Sequence, residues 1–141
     1  MIRIIAVGKI KDRHSASLIE TYLTRARPWA VCEVVELKDQ SPEKEGRAMI
    51  DRIGLSEMVV ALDEGGEAPT SRDFAALLAS HGSITFLIGG PDGLGDAAHQ
   101  RADRTVRLSS MTFPHELARL VLAEQIYRGL SINRGHSYHR D

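Results

Sequence analysis

Residues 86–95 read Phe86-Leu87-Ile88-Gly89-Gly90-Pro91-Asp92-Gly93-Leu94-Gly95, an apolar run that passes directly into a turn containing four glycines. Glycine tolerates positive φ and lets a ligand or another backbone approach closely. No register of this run matches the dinucleotide-binding pattern G-x-G-x-x-G, and no G-K-[ST] follows to make it a phosphate loop. Taken alone, such a strand-to-helix turn is more often a tight connection than a binding site.

The strand in this segment is one of five short apolar runs, which predict strands at residues 2–7, 31–37, 58–62, 84–88 and 105–108. The intervals predict helices at residues 15–27, 42–53, 72–80, a short stretch after Gly95, and 114–130. Ser41, and either Thr70 or Ser71, are suited to cap two of these helices. Because the strands are continuously apolar, helices are expected on both faces of a mostly parallel sheet. The sequence therefore predicts a single α/β domain spanning residues 1–141.

The charge balance excludes one class of nucleic-acid-binding protein. The 141 residues contain 18 Lys and Arg against 19 Asp and Glu, so a net charge of −1 cannot coat nucleic acid by charge alone. Residues 1–29 nevertheless hold six basic and two acidic side chains. This local excess is either a solvated face or an edge that contacts a polyanion, with Lys9 and Lys11 near its centre.

The single cysteine, Cys32, can form neither an internal disulfide nor a thiolate zinc site, which indicates a reducing compartment. The apolar run near the N-terminus stops at Gly8 and is too short for the core of a signal peptide. No apolar stretch approaches the roughly 18 residues of a membrane span. We therefore expect a cytoplasmic protein.

Three loops rich in small residues follow predicted strands, at residues 62–66, 89–95 and 108–114. Ligands of open α/β sheets bind outside the carboxyl ends of the strands, so these loops are candidates for one binding site. Their few charges suit a neutral or zwitterionic cofactor better than a polyphosphate. His115, at the start of the last helix, is interpreted as a capping or packing residue.

The last predicted helix is apolar around its whole circumference rather than along one stripe. It is therefore either a core helix or half of a subunit interface, and the interface is favoured. Its charged residues have possible partners on the same helix, Glu116 with Arg119 and Glu124 with Arg128. Such pairing would make burial beside a partner tolerable.

The C-terminal tail, residues 133–141, concentrates imidazole, phenol and guanidinium groups. Chain ends usually fray, which would leave these residues without a role. A metal site would need a third ligand besides the two histidines, so no metal is expected. In a catalytic or RNA-contacting tail, His139 would act as a base or a hydrogen-bonding group and Tyr138 would stack or orient, while Arg134 and Arg140 would contact phosphate.

Six segments spread over the chain are together specific: Ile5-Ala6-Val7-Gly8-Lys9, Ala61-Leu62-Asp63, Ile88-Gly89-Gly90-Pro91-Asp92-Gly93-Leu94, Leu108-Ser109-Ser110-Met111-Thr112-Phe113-Pro114-His115, Glu124-Gln125-Ile126-Tyr127-Arg128 and Tyr138-His139-Arg140. In this order they resemble the ribosomal RNA large subunit methyltransferase H family, a minimal member of the SPOUT superfamily. The resemblance covers essentially the entire chain.

The resemblance implies a cytoplasmic homodimer that uses S-adenosylmethionine to methylate N3 of a pseudouridine in 23S ribosomal RNA, acting on assembled ribosomes. It also implies a trefoil knot, with the chain threaded through the loops near the cofactor. Carried over to this sequence, the residues expected to bind the cofactor are Leu62, Gly89, Gly90, Leu108, Ser109, Ser110, Met111, Thr112 and Phe113.

Methyl transfer to an imide nitrogen requires positioned reactants and the removal of a proton. His139 is the leading candidate for the base, Arg140 for the electrostatic partner and Tyr138 for the orienting group, with Arg128 behind them. Because the tail follows the proposed interface helix, one subunit's cofactor loops could combine with the other's tail.

RNA contact is assigned to basic residues near both ends of the chain: Lys9, Lys11, Arg128, Arg134 and Arg140. The alternative function is a non-catalytic ribosome-binding factor that keeps the same fold and docks on RNA through these residues.

Overall fold

The computed structural model describes residues 1–141, which form strands and helices that alternate along the chain. The strands are β1 (Ile2–Val7), β2 (Cys32–Leu37), β3 (Met58–Glu67), β4 (Ile84–Ile88) and β5 (Arg104–Val106). The helices are α1 (Arg13–Ala26), α2 (Pro42–Ile50), α3 (Ser71–Ser80), α4 (Asp96–Arg101) and α5 (His115–Asn133). None of these helices combines the length and the apolar character that a membrane crossing needs. The predicted α/β alternation is confirmed.

All strand pairs are parallel, and the sheet order is β2-β1-β4-β3-β5. In the middle of the sheet, Ile4 of β1 lies opposite Val34 of β2 on one side and Phe86 of β4 on the other. Parallel pairing brings the carboxyl ends of the strands to the same edge of the sheet. The segments that leave β1, β3, β4 and β5 therefore emerge side by side.

The central strands are buried on both faces, because alternate residues of a strand point to opposite sides. On one face, Ile4 and Phe86 pack with α1, α3 and α5. On the other face, Ile5 and Leu87 pack with α2 and α4. Each of these four side chains is at most 1% exposed, and full burial of such a side chain contributes roughly 1.5–3 kcal/mol. The two cores account for the continuous apolar runs.

Local capping signals set where most helices begin. Ser41 and Thr70 cap α2 and α3 through side-chain hydrogen bonds, as predicted. Helix α1 begins earlier than predicted, because the Asp12 carboxylate accepts a hydrogen bond from the Ser15 N–H at 3.1 Å. Helix α2 is shorter than predicted and ends at Ile50.

The largest departure from the predicted elements lies at the end of β3. The strand continues to Glu67 instead of ending at Leu62, and Val106 of β5 pairs with both residues. Residues 63–66 therefore bulge out of the ladder. Gly66 permits this close passage, since a Cβ at that position would lie 2.6 Å from the Val106 nitrogen.

A buried arginine ties α5 to the carboxyl ends of β1 and β2. Arg119 is 3% exposed, forms an ion pair with Glu36 and donates to the Gly8 carbonyl at 2.8 Å. The expected pair between Glu116 and Arg119 is therefore wrong. The Glu116 carboxylate instead accepts hydrogen bonds from the backbone of residues 11 and 12, at 3.0 and 3.3 Å. Tertiary partners have replaced the same-helix pair.

Arg119→Ala should destabilise the protein, because it removes the ion pair and leaves the Gly8 carbonyl without its donor. We expect the free energy of unfolding to fall by about 2–3 kcal/mol, measured by urea unfolding. The matched control is Arg47→Ala, whose ion pair with Glu43 is exposed and should contribute less than about 1 kcal/mol. Equal losses in the two variants would contradict the tethering role of Arg119.

Candidate functional site

The loops that follow β3, β4 and β5 enclose a cavity of about 450 Å³ at the carboxyl edge of the sheet. Sites for small-molecule ligands usually measure roughly 300–1,000 Å³. The lining comes from these loops and the start of α5: Leu62, Asp63, Glu64, Ile88, Gly89, Gly90, Pro91, Gly93, Leu94, Val106, Arg107, Leu108, Ser109, Met111, Thr112, Phe113, Pro114, His115 and Ala118. Of the residues expected to bind a cofactor, Ser110 alone does not line the cavity.

The turn after β4 has a shape that requires glycine. Gly93 has a φ of +80°, and its N–H donates to the Gly90 carbonyl at 3.0 Å. A Cβ on Gly89 would lie 2.5 Å from the carbonyl carbon of Gly93. The turn is therefore closed by backbone packed on backbone, and a larger residue at Gly89 would force it open.

The segment after β5 forms a second wall with an apolar interior side. Leu108 and Phe113 are half-buried, whereas Met111 is 74% exposed. The Met111 N–H donates to the Ser109 hydroxyl at 3.0 Å, which turns the chain back toward the cavity. This arrangement leaves a long, flexible apolar side chain at the mouth of the cavity.

Four polar residues of the lining were not named as cofactor-binding residues from the sequence: Asp63, Glu64, Arg107 and His115. Asp63 Oδ2 accepts a hydrogen bond from the Gly65 N–H at 2.9 Å, and Glu64 is exposed. Asp63 and Glu64 lie in the loop of residues 62–66 that the sequence predicted as part of the binding site, and Arg107 directly precedes the assigned residue Leu108. No group of three His, Cys, Asp or Glu side chains in the protein is arranged to hold a metal ion.

His115 is the first residue of α5, and Pro114 before it is the N-cap, without a side-chain capping bond. Of the two roles expected for His115, capping or packing, the capping role is therefore wrong. The imidazole is half-buried and lines the cavity instead.

The C-terminal tail lies along α5 rather than projecting into solvent. The Tyr138 ring meets Tyr127 edge-on with 4.6 Å between centroids, and its hydroxyl donates to Glu124 Oε2 at 2.7 Å. Burial and the adjacent Glu124 carboxylate raise the pKa of Tyr138 well above its usual value. The phenol therefore stays protonated at neutral pH, which suits an orienting role and not that of a base.

His139 is held between a cation and an anion. Arg128 Nη1 lies 3.0 Å from His139 Nδ1, and because a guanidinium can only donate, Nδ1 is the acceptor. His139 Nε2 lies 3.0 Å from Asp141 Oδ1, and hydrogen bonds from Arg72 and His139 lower the pKa of Asp141 to about 2. The expected ion pair between Arg128 and Glu124 is confirmed, at 2.7 Å. A neutral imidazole with its proton on Nε2 satisfies both contacts, because Nδ1 accepts from Arg128 and Nε2 donates to Asp141.

The tail and the cavity lie at different positions along α5. Ala118 lines the cavity, whereas Tyr138 and His139 contact Arg128. These two helix positions are about 15 Å apart at 1.5 Å per residue. None of the tail residues expected to be catalytic, Tyr138, His139 and Arg140, lines the cavity of its own chain. The structure therefore does not bring them together with the cofactor residues within one chain.

The basic residues expected to bind RNA fall into two groups. Lys9 and Lys11 are exposed on the loop after β1, which is hydrogen-bonded to the start of α5 beside the cavity. Arg134 and Arg140 are exposed near the tail. Arg128 differs from both groups, because its guanidinium is already engaged with side chains of the tail and of α5.

Comparison with known proteins gives one consistent result. A family described as "Predicted SPOUT methyltransferase" matches residues 1–139. The chain is 43% identical to the ribosomal RNA large subunit methyltransferase H of a strain of Prochlorococcus marinus, over 99% of this chain and 95% of that protein. Proteins with the same name from Acidiphilium cryptum and Bacillus thuringiensis are 42% and 38% identical over 99% of this chain, covering 93% and 99% of their own lengths. The similarity therefore includes both the cavity loops and the tail.

Proposed function

The chain belongs to the ribosomal RNA large subunit methyltransferase H family of SPOUT methyltransferases, and from that premise we propose that it methylates N3 of a pseudouridine in 23S ribosomal RNA. The methyl donor is S-adenosylmethionine, which SPOUT methyltransferases use. The observation that carries the proposal is the cavity at the carboxyl edge of the sheet, formed by loops that the full-length similarity includes. The substrate is the assembled ribosome, which places the reaction in the cytoplasm.

The residues around the cavity fit this cofactor. Leu62, Leu108 and Phe113 supply apolar surface for an adenine ring, and the glycines of the turn after β4 let a ligand approach the backbone closely. The carboxylates of Asp63 and Glu64 suit sugar hydroxyls or an ammonium group. When bound, S-adenosylmethionine supplies an electrophilic methyl group attached to a sulfonium.

The tail residues supply the proton chemistry. Loss of the N3 proton needs an acceptor, and the Nδ1 lone pair of neutral His139 can take it once Arg128 moves away from that atom. Asp141, beside Nε2, would stabilise the resulting imidazolium. Arg140 is exposed and can approach the negative charge that develops on the pseudouridine ring when N3 loses its proton. Tyr138, which stays protonated, positions the tail.

We propose that the complete site combines the cavity of one subunit with the tail of its partner in a homodimer. The separation of about 15 Å along α5 supports this arrangement, since one rigid helix cannot bring its two ends together. Helix α5 also keeps apolar side chains accessible, with Leu117 41% exposed and Val121 half-buried one turn later. Such a surface suits a two-fold interface.

The dimer also explains how a chain with a net charge of −1 can hold RNA. The composite site would be flanked by Lys9 and Lys11 of one subunit and by Arg134 and Arg140 of the other. The positive charges of both subunits would then act on the same RNA. The engaged guanidinium of Arg128 favours positioning of His139 over contact with phosphate.

We also propose that the C-terminal part of the chain forms a trefoil knot, threaded through the loops near the cofactor. Support comes from the sheet order, because the chain must pass from β4 beyond β3 to reach β5 at the edge. It then returns through residues 107–114 to α5, which packs with α1 and α3. Knots are very rare in proteins, so this proposal rests chiefly on family membership.

The proposed activity is tested by transfer of a radiolabelled methyl group to ribosomes, isolated subunits and free RNA. We expect incorporation into assembled ribosomes. Ala118→Phe should fill the cavity, abolish transfer and abolish the heat of S-adenosylmethionine binding in calorimetry, while Ala16→Phe, on the exposed surface of α1, should change neither. Ribosome binding by the wild type without heat from S-adenosylmethionine would instead favour the non-catalytic ribosome-binding factor.

The composite site is tested by co-expressing two differently tagged variants and purifying the mixed dimer. His139→Ala and Ala118→Phe should each abolish transfer, the former with cofactor binding retained. The purified mixed dimer should recover roughly one half of wild-type activity, since each such dimer carries one intact site out of two. His14→Ala, an exposed histidine on α1, is the control for His139→Ala. Absence of recovery in the mixed dimer would argue for sites built within one chain.

The knot is tested by pulling the chain from its two ends with optical tweezers. An unknotted chain should extend to about 3.3–3.6 Å per residue. A knotted chain should stop short of that length, because the tightened knot retains part of the backbone. Full extension would exclude the knot.

A further inference from the structure

Arg107 differs from every other residue around the cavity. It directly follows β5, lines the cavity, and donates its backbone N–H to the Glu67 carbonyl at 2.8 Å. Its side-chain Nε is buried without a hydrogen-bond partner, and no other buried side-chain nitrogen or oxygen in the protein lacks one. The backbone of Arg107 is therefore fixed, while part of its guanidinium is left unpaired.

The acidic side chains of Asp63 and Glu67, at the end of β3, have other hydrogen-bond partners and do not pair with this guanidinium. Glu67 forms its ion pair with Arg104, at 2.7 Å, and Asp63 accepts a hydrogen bond from Gly65. A buried donor without an acceptor is costly, and in native structures it usually indicates a ligand, an ion or water that completes it. Arg107 is thus a candidate for contact with whatever the cavity holds.

The charges around the cavity indicate the kind of ligand. Arg107 is the only Lys or Arg in the lining, whereas Asp63 and Glu64 provide carboxylates at the end of β3. A guanidinium pairs best with a planar anion that accepts two hydrogen bonds, such as a carboxylate. A ligand that carries both a carboxylate and an ammonium group matches this distribution, and the methionine end of S-adenosylmethionine carries both.

We propose that Arg107 binds the α-carboxylate of S-adenosylmethionine and thereby fixes the methionine end of the cofactor. The inference rests on the cofactor assigned under the proposed function. Phosphate groups of RNA are the competing source of an anion for the same guanidinium. A test must therefore separate the cofactor carboxylate from RNA.

The test is calorimetry of the full chain, without RNA, using S-adenosylmethionine and decarboxylated S-adenosylmethionine. Wild type should bind the decarboxylated compound roughly 10- to 100-fold more weakly. Arg107→Met, which keeps the length of the stem, should lose a similar factor for S-adenosylmethionine and show no further loss on decarboxylation. Arg104→Met, three residues earlier and paired with Glu67 at the surface, should behave like wild type.

The comparison of the two ligands on wild-type protein does not depend on any variant folding. Equal binding of both ligands by wild type would overturn the assignment. So would an equal penalty for decarboxylation in wild type and Arg107→Met. If Arg107→Met binds S-adenosylmethionine normally but has a raised KM for ribosomes, the anion is an RNA phosphate and the proposal is wrong. Failure of wild type to bind S-adenosylmethionine at all would overturn the proposed function itself.

Discussion

Close packing of backbone against backbone at the carboxyl edge of the sheet is the constraint on which the cavity depends. Gly89 meets Gly93, and Gly66 meets Thr105 and Val106, at separations that leave no room for a Cβ. The Gly66 contact holds the end of β3 against β5, and the Gly89 contact closes the turn after β4. With β3 and β4 paired in the sheet, three loops from distant parts of the sequence surround one cavity. A side chain at Gly66 or Gly89 would push the loops apart, because neither neighbouring backbone has a flexible group that can yield.

Helix α5 connects the cavity to the C-terminal tail and fixes the distance between them. Its first turns contribute His115 and Ala118 to the cavity, and Arg119 fixes that end against the strands. Its later turns hold the tail through Glu124 and Arg128. A continuous helix keeps the cavity and the tail about 15 Å apart along its axis, and that separation is the reason for proposing a site built from two chains. The side chains that position His139 therefore belong to the same helix that lines the cavity.

Much of the fold could be predicted because its signals are local. The hydroxyls of Ser41 and Thr70 act within one turn of helix, and the apolar runs report burial on both faces of the sheet directly. The continuation of β3 to Glu67 could not be predicted, since the bulge faces away from the core and interrupts the apolar pattern at Leu62. The ion pair between Arg119 and Glu36 could not be predicted either, because the two residues are 83 positions apart in sequence.

For the candidate site, the sequence identified the loops and the order of the motifs but not the polar groups that share the cavity. Leu62, Gly89 and Leu108 could be assigned from the sequence because they lie in motifs of the family. Arg107 could not, because its importance depends on a missing partner, and hydrogen bonding is decided by neighbours distant in sequence. The sequence alone was sufficient for the fold class, the order of strands and helices and the family, all of which follow from local patterns. Only the tertiary structure decided which charges are paired, which donor is left free and how far the tail lies from the cavity, because those depend on distances between segments that no local pattern encodes.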